Sequence, residues 1–183
     1  MKFVQPIRDV EKIKEMFNYL PSERDKFLWF LGINVGVRVS DLLQLQVKDV
    51  KDKTHICIKE SKTNKTKRFP LNSGVRTKVE KYVEGKNEND WLFPSRKGDK
   101  PISRVQAYRI LNKTAQEIGL EEIGTHTMRK TFGYHFYKKT HDIALLQDIL
   151  NHSAPSVTLR YIGINQDMID EVIEHFDVFD LDN

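Results

Sequence analysis

Three short runs of this sequence carry residue types suited to chemistry on a phosphate. GVRVSDLLQL holds Arg38 and Asp41, THTMRKTFGYHF holds His126 and Arg129, and LNHSAPSVTLRYIG holds His152 and Tyr161. Breaking a phosphodiester without a metal needs a nucleophile, cations around a phosphorane-like transition state and an acid for the departing oxygen. Arginine suits the second role, because its planar fork donates two hydrogen bonds to phosphate oxygens. Arg38 is predicted in a turn before a short helix, near N–H groups that favour anions. Taken alone, it reads more simply as a surface arginine paired with Asp41. His126 and Arg129, at i and i+3, share one face of a first helical turn, again beside a helix N-terminus. Tyr161 lies four residues after Val157. That run alone reads more simply as a core tyrosine with a satisfied hydroxyl.

The elements that must position these residues follow from periodicity. Val10, Ile13, Phe17 and Leu20 predict an amphipathic helix from Asp9 to Leu20, which Pro21 stops. Ser22 caps a second, very apolar helix (FLWFLGINV) with Asp25 as reciprocal partner, and Gly36 ends it. Ser40 is expected to cap the short helix SDLLQL. The pattern then turns to period two: THICIK and TKRFPL flank SKTN as a β-hairpin. A helix is expected over Ser73 to Glu84, and WLFP as a short strand or buried turn. A further helix, Ser103 to Ile118, sets Val105, Tyr108, Leu111, Ala115 and Ile118 on one side. Thr125 caps a helix reaching about Lys138, Asp142 opens DIALLQDIL, and Ser153 with Pro155 opens a short helix. A last helix spans about Gln166 to Phe176. The expected fold is mostly α with a small antiparallel β-sheet.

The chain has 183 residues, 39% of them apolar, which suits one domain with a sizeable core and excludes global disorder. Its one cysteine, Cys57, excludes an intramolecular disulfide and with it a secreted disulfide scaffold. The opening MKFVQPIRDVEKIKEMF lacks the apolar core of a signal peptide, and no run approaches the roughly 20 apolar residues of a membrane span. A cytoplasmic location is the expectation. Net charge is only +4, but Lys48 to Lys81 holds 11 basic against 4 acidic residues, and Arg96 to Lys139 holds 10 against 4. After Gln166 there are 7 acidic residues and no Lys or Arg. A basic body with an acidic tail suits a polyanion partner and a separate contact segment, although a solvated charged surface is the plainer alternative. His126, His135, His141 and His152 show no metal-ligand spacing, and the sequence has neither a carboxylate cluster nor a phosphate-binding glycine loop. Neither metal nor cofactor is therefore expected.

In chain order, an arginine, a hairpin lysine, HxxR and a histidine nine residues before a tyrosine resemble the tyrosine recombinase or phage integrase family. The likeness runs from about Ser22 to Ile173, and its combination of motifs is specific. It implies a metal- and ATP-independent enzyme on double-stranded DNA, with Tyr161 as nucleophile forming a 3′-phosphotyrosyl bond and releasing a 5′-hydroxyl. Arg38 and Arg129 match the phosphate-holding pair, His126 the HxxR histidine and His152 the late phosphate contact. Lys62 matches the lysine that protonates the leaving oxygen, with Lys65 as the alternative register. Asp41 matches a residue that orients Arg38. The resemblance further implies self-association on DNA, as a tetramer in the active complex and a monomer or weak oligomer when free. Residues 1–183 are expected to be one catalytic domain without the separate N-terminal DNA-clamping domain of most members. The stripe Ile164, Met168, Ile169, Val172, Ile173 and Phe176 either folds onto its own core or docks on a neighbouring protomer, as the resemblance implies. A non-cutting DNA-binding regulator and a type IB topoisomerase-like nicking enzyme are the competing functions.

Overall fold

A computed structural model describes residues 4–59, 64, 66–97, 99–121, 123–124 and 126–176, apart from the side chains of residues 166, 167 and 172. Asp9 caps α1 (Val10–Tyr19) by accepting the N–H of Glu11 at 2.8 Å. Ser22 caps α2 (Glu23–Val35) through the N–H of Asp25. The reciprocal contact differs from a capping box, since the Asp25 carboxylate accepts the Ser22 hydroxyl at 2.6 Å and pairs with Arg24. Gly36, at φ 71°, ends α2 in the left-handed conformation that glycine enters without steric cost.

The next helix, α3 (Val39–Leu42), starts from Arg38 rather than from Ser40. The Arg38 carbonyl accepts the N–H groups of both Asp41 and Leu42, so the turn closes two residues earlier and no side chain caps it. The expected hairpin is present as β1 (His55–Lys59) and β2 (Thr66–Pro70), antiparallel with Ile56 opposite Phe69. Ile56, Ile58 and Phe69 point into the core, while Cys57 and Lys59 face outward. The expected SKTN turn, with Lys62 and Lys65, lies outside the described residues apart from Asn64.

Asn72 caps α4 (Ser73–Val83), and WLFP turns between isolated pairings of Gln46 with Trp91 and Pro94 with Pro101, burying Leu92 and Phe93. Ser103 and Gln106 cap α5 (Arg104–Glu117) reciprocally. Its inward face is Ala107, Leu111, Thr114 and Ala115, and the predicted face is corrected at Val105 and Tyr108, which are 53% and 39% exposed. At 3.6 residues per turn, Val105 is rotated about 200° from Ala107 and points away.

The last four helices build the C-terminal layer: α6 (Thr127–Thr140), α7 (Ile143–Leu150), α8 (Pro155–Ile162) and α9 (Ile164–Glu174). The expected cap Thr125 lies outside the described residues, and His126 occupies the N-cap position of α6 without a capping side-chain bond. Asp142 caps α7 by accepting the Leu145 N–H at 2.8 Å. Pro155 is the first residue of α8, after Ala154 rather than Ser153 as cap.

Among the described residues two hydrophobic clusters result. The main one gathers α1 to α5, the hairpin and Met128 of α6. A smaller one joins Leu146, Leu150, Ile162 and Ile164 to Phe132, Tyr134, Phe136 and Leu159. Helix α6 lies between the two and touches both through close approaches. A Cβ on Gly36 would sit 2.3 Å from Cδ1 of Phe132, and one on Gly133 would sit 2.7 Å from Cγ2 of Ile162. Among the described residues no helix is long and apolar enough to cross a membrane.

Candidate active site

The start of α6 meets α8 at one place on the surface, and four of the six predicted catalytic side chains gather there. Arg129, in the first turn of α6, is buried at 3% exposure. One end of its guanidinium donates to the Leu150 carbonyl at 2.6 Å, and, against the burial that raises the Tyr161 pKa, its charge draws that pKa downward. A guanidinium fixed this way has little rotamer freedom left to lose when a ligand arrives. The Tyr161 hydroxyl lies 3.4 Å from Nδ1 of His126, a long contact, with the rings edge-on at 6.3 Å between centroids. His152 packs edge-on against the same tyrosine at 4.9 Å, and its Nδ1 is 3.0 Å from the hydroxyl of Thr158, which is buried. That contact orients the imidazole.

Arg38 arrives from the main body, half-buried at the start of α3, and its charge acts on both His126 and Tyr161. Asp41 is buried one helical turn away, its N–H donating to the Arg38 carbonyl at 2.9 Å. Lys62 and Lys65 lie outside the described residues, so the structure describes Arg38, His126, Arg129, His152 and Tyr161 of the six predicted side chains.

Two cations escaped the sequence reading. Arg104, the first residue of α5, and Lys130, directly after Arg129, both act on His126. Lys130 also places its ammonium 5.0 Å from the centre of the Tyr161 ring. Lys130 stood inside a run already singled out, whereas no spacing rule links Arg104 to His126. Only the fold brings the α5 N-terminus there.

The electrostatics define the resting state. Partial burial holds the His126 pKa below the ordinary histidine value, and Arg129, Lys130, Arg38 and Arg104 push the same way, since each disfavours a second positive charge. Burial raises the Tyr161 pKa, opposed by Arg129 and Arg38. At neutral pH the site therefore holds a neutral phenol facing a neutral imidazole inside a ring of cations. That arrangement suits an anion, a proton acceptor and a nucleophile together. Among the described residues no three His, Cys, Asp or Glu side chains gather to hold a metal ion.

Comparison with known proteins places this geometry. Residues 8–168 match the phage integrase family, and the chain belongs to it. The probable integrase/recombinase YoeC of Bacillus subtilis (strain 168) is 54% identical over 169 residues, covering 91% of this chain and 93% of that protein. Tyrosine recombinase XerA of Pyrococcus furiosus is 25% identical over 170 residues, covering 90% of this chain but 59% of its own length. The chain thus spans about three-fifths of that relative. Among solved structures, XerA recombinase superposes with a TM-score of 0.74 at 19% identity, covering 97% of this chain and 66% of that one. A lambda integrase dimer bound to a COC' core site (residues 75–356) gives 0.70 at 18% identity, covering 90% and 62%. Among the described residues this chain is mostly helical with a small two-stranded antiparallel sheet, as the sequence predicts.

The cation ring is open to a direct test. Imidazole NMR should place the His126 midpoint below the ordinary value of about 6.5. Because each neighbouring cation disfavours the imidazolium, Arg104→Ala should move that midpoint upward. A midpoint unchanged by the substitution would remove Arg104 from the site.

Proposed function

We propose that this chain is the catalytic domain of a site-specific DNA recombinase that cleaves and rejoins strands through a 3′-phosphotyrosyl intermediate. One observation carries the reading: the Tyr161 hydroxyl, half-buried, faces His126 and the buried Arg129 inside a set of cations. The scissile phosphate enters between Arg38 and Arg129, which hold its non-bridging oxygens. Tyr161 attacks phosphorus as its proton passes toward neutral His126, and the arginines stabilise the phosphorane-like transition state. His152 donates a hydrogen bond to the phosphate, and Asp41 orients Arg38. Lys62 protonates the departing 5′ oxygen, with Lys65 the alternative donor. The phosphotyrosine conserves the energy of the broken bond, so rejoining needs no nucleotide. The named activity of XerA and the DNA-bound lambda integrase dimer support double-stranded DNA as the substrate.

The test is incubation of supercoiled plasmid and nicked suicide duplexes carrying candidate sites, followed by a search for a detergent-resistant protein–DNA adduct. Wild type should form it, and Tyr161→Phe should bind DNA but form none. Arg129→Ala should slow adduct formation by about 10²–10³, with a much smaller change in affinity. DNA binding without adduct in wild type would favour a non-cutting regulator, and plasmid relaxation without strand exchange a topoisomerase-like enzyme.

The tail supports assembly on DNA. Ile164 is buried, but Met168 and Ile169 are 43% and 49% exposed, and Ile173 and Phe176 are each 63% exposed. Val172 lies outside the described side chains. An amphipathic helix with a bare apolar face suits docking on a neighbouring protomer. In this reading free monomers join as a tetramer in the active complex. Deleting residues from Gln166 onward should leave melting and DNA binding nearly unchanged while abolishing cooperative assembly in sedimentation on site DNA. An unfolded truncation would return α9 to its own core.

A further inference from the structure

The segment before α1 belongs to no regular element, yet it touches both α6, which carries Arg129, and the end of α8, which carries Tyr161. It is fastened to α6 at successive points. Nζ of Lys130 donates to the Val4 carbonyl at 2.7 Å, and the Ile7 N–H donates to the Thr131 hydroxyl at 3.0 Å. The Ile7 carbonyl lies 3.0 Å from Nε2 of His135. Ile7 itself is buried in the main core. From this fixed base Arg8 reaches across to the C-terminal layer, where Nη2 donates to the Gly163 carbonyl at 3.1 Å. Its guanidinium lies 5.3 Å from the centre of the Tyr134 ring, which holds it in place.

Gly163 is the hinge of that layer. At φ 75° it is at once the C-cap of α8 and the N-cap of α9, with no side chain capping the start of α9. It follows Tyr161 by two residues. The strap sits directly on it, since a Cβ there would lie 3.2 Å from Oε1 of Gln5 and 3.3 Å from Nη2 of Arg8. A cation at a helix C-terminus is favoured by the exposed carbonyls of the last turn. Arg8 therefore ties the end of the Tyr161 helix to the main body, which holds Arg38, while Lys130 ties the strap to α6 beside the Tyr161 ring.

We propose that Arg8 is a positioning residue for Tyr161, fixing the Gly163 hinge between α8 and α9 through the strap Val4–Arg8. The proposal rests on Tyr161 as the nucleophile. Releasing the hinge lets α8 pivot on the small second core, and a misplacement of about 1 Å at a reacting atom can cost on the order of 10² in rate. The same hinge sets where the bare face of α9 points, so strap and tail bear on one joint.

The experiment uses the full chain labelled with 3-fluorotyrosine, without DNA. The Tyr161 resonance is assigned by its loss in Tyr161→Phe. Arg8→Ala should shift or broaden it and leave that of Tyr19, exposed in α1, in place. Arg8→Lys, which keeps one donor and the charge, should return the signal toward wild type. On suicide duplexes, Arg8→Ala should lower the rate of adduct formation about ten-fold or more, with affinity within about two-fold and melting within about 2 °C. An unmoved Tyr161 resonance, or a rate loss explained wholly by weaker DNA binding, would overturn the proposal. A wild type that forms no adduct would count against Tyr161 as nucleophile only, because the fluorine signal still decides whether Arg8 holds the ring.

Discussion

The structure depends on how closely α6 is gripped from two sides. Phe132 presses on Gly36 at the end of α2, and Ile162 of α8 presses on Gly133. Neither contact has room for a methyl group, and packed interiors do not deform smoothly to make it. Ile162 is the residue after Tyr161, so the Gly133 contact fixes the depth at which the tyrosine meets the first turn of α6. The Gly36 contact fixes that turn against the body that carries Arg38. One helix thus sets the distance between these cations and Tyr161, although Val37, Val39 and Met128 beside the arginines pack in one hydrophobic cluster and Tyr161 in the other.

Electrostatics then decide the state in which the site waits. Arg38, Arg104, Arg129 and Lys130 surround His126, and without an anion they disfavour its protonation. Burial keeps Tyr161 protonated, while Arg129 and Arg38 lower the cost of forming its phenolate. A phosphate entering this ring would neutralise part of the positive field and raise the proton affinity of His126. The imidazole thus becomes more basic when an anion binds, a coupling that follows from charge alone.

Much of this was legible in the sequence because it is local. The Ser22 cap, the start of α7 at Asp142, the Gly36 stop and the alternation in the hairpin depend on neighbours within a few residues. The HxxR spacing placed His126 and Arg129 on one helical face, and the chemistry these runs suit could be read from residue type. What depends on packing between distant elements was not legible. Val105 and Tyr108 look like part of a buried face until the body packs on the side of α5 that Ala107, Leu111 and Thr114 share. Arg104 reaches His126 only because α5 begins beside α6. The strap Val4–Arg8 carries no periodic signal, since its anchors are Lys130, Thr131, His135 and Gly163, all more than 120 residues away.

The central claim is that Tyr161, placed by Gly133 and faced by Arg129 and His126, takes the phosphate. The most direct measurement is mass spectrometry of the protein–DNA adduct after proteolysis and nuclease trimming. The account predicts a nucleotide esterified to Tyr161 within the peptide that spans α8, joined through its 3′ phosphate and leaving a free 5′-hydroxyl on the complementary fragment. A modification on Tyr134 or Tyr137, or a 5′-phosphotyrosyl linkage, would contradict it.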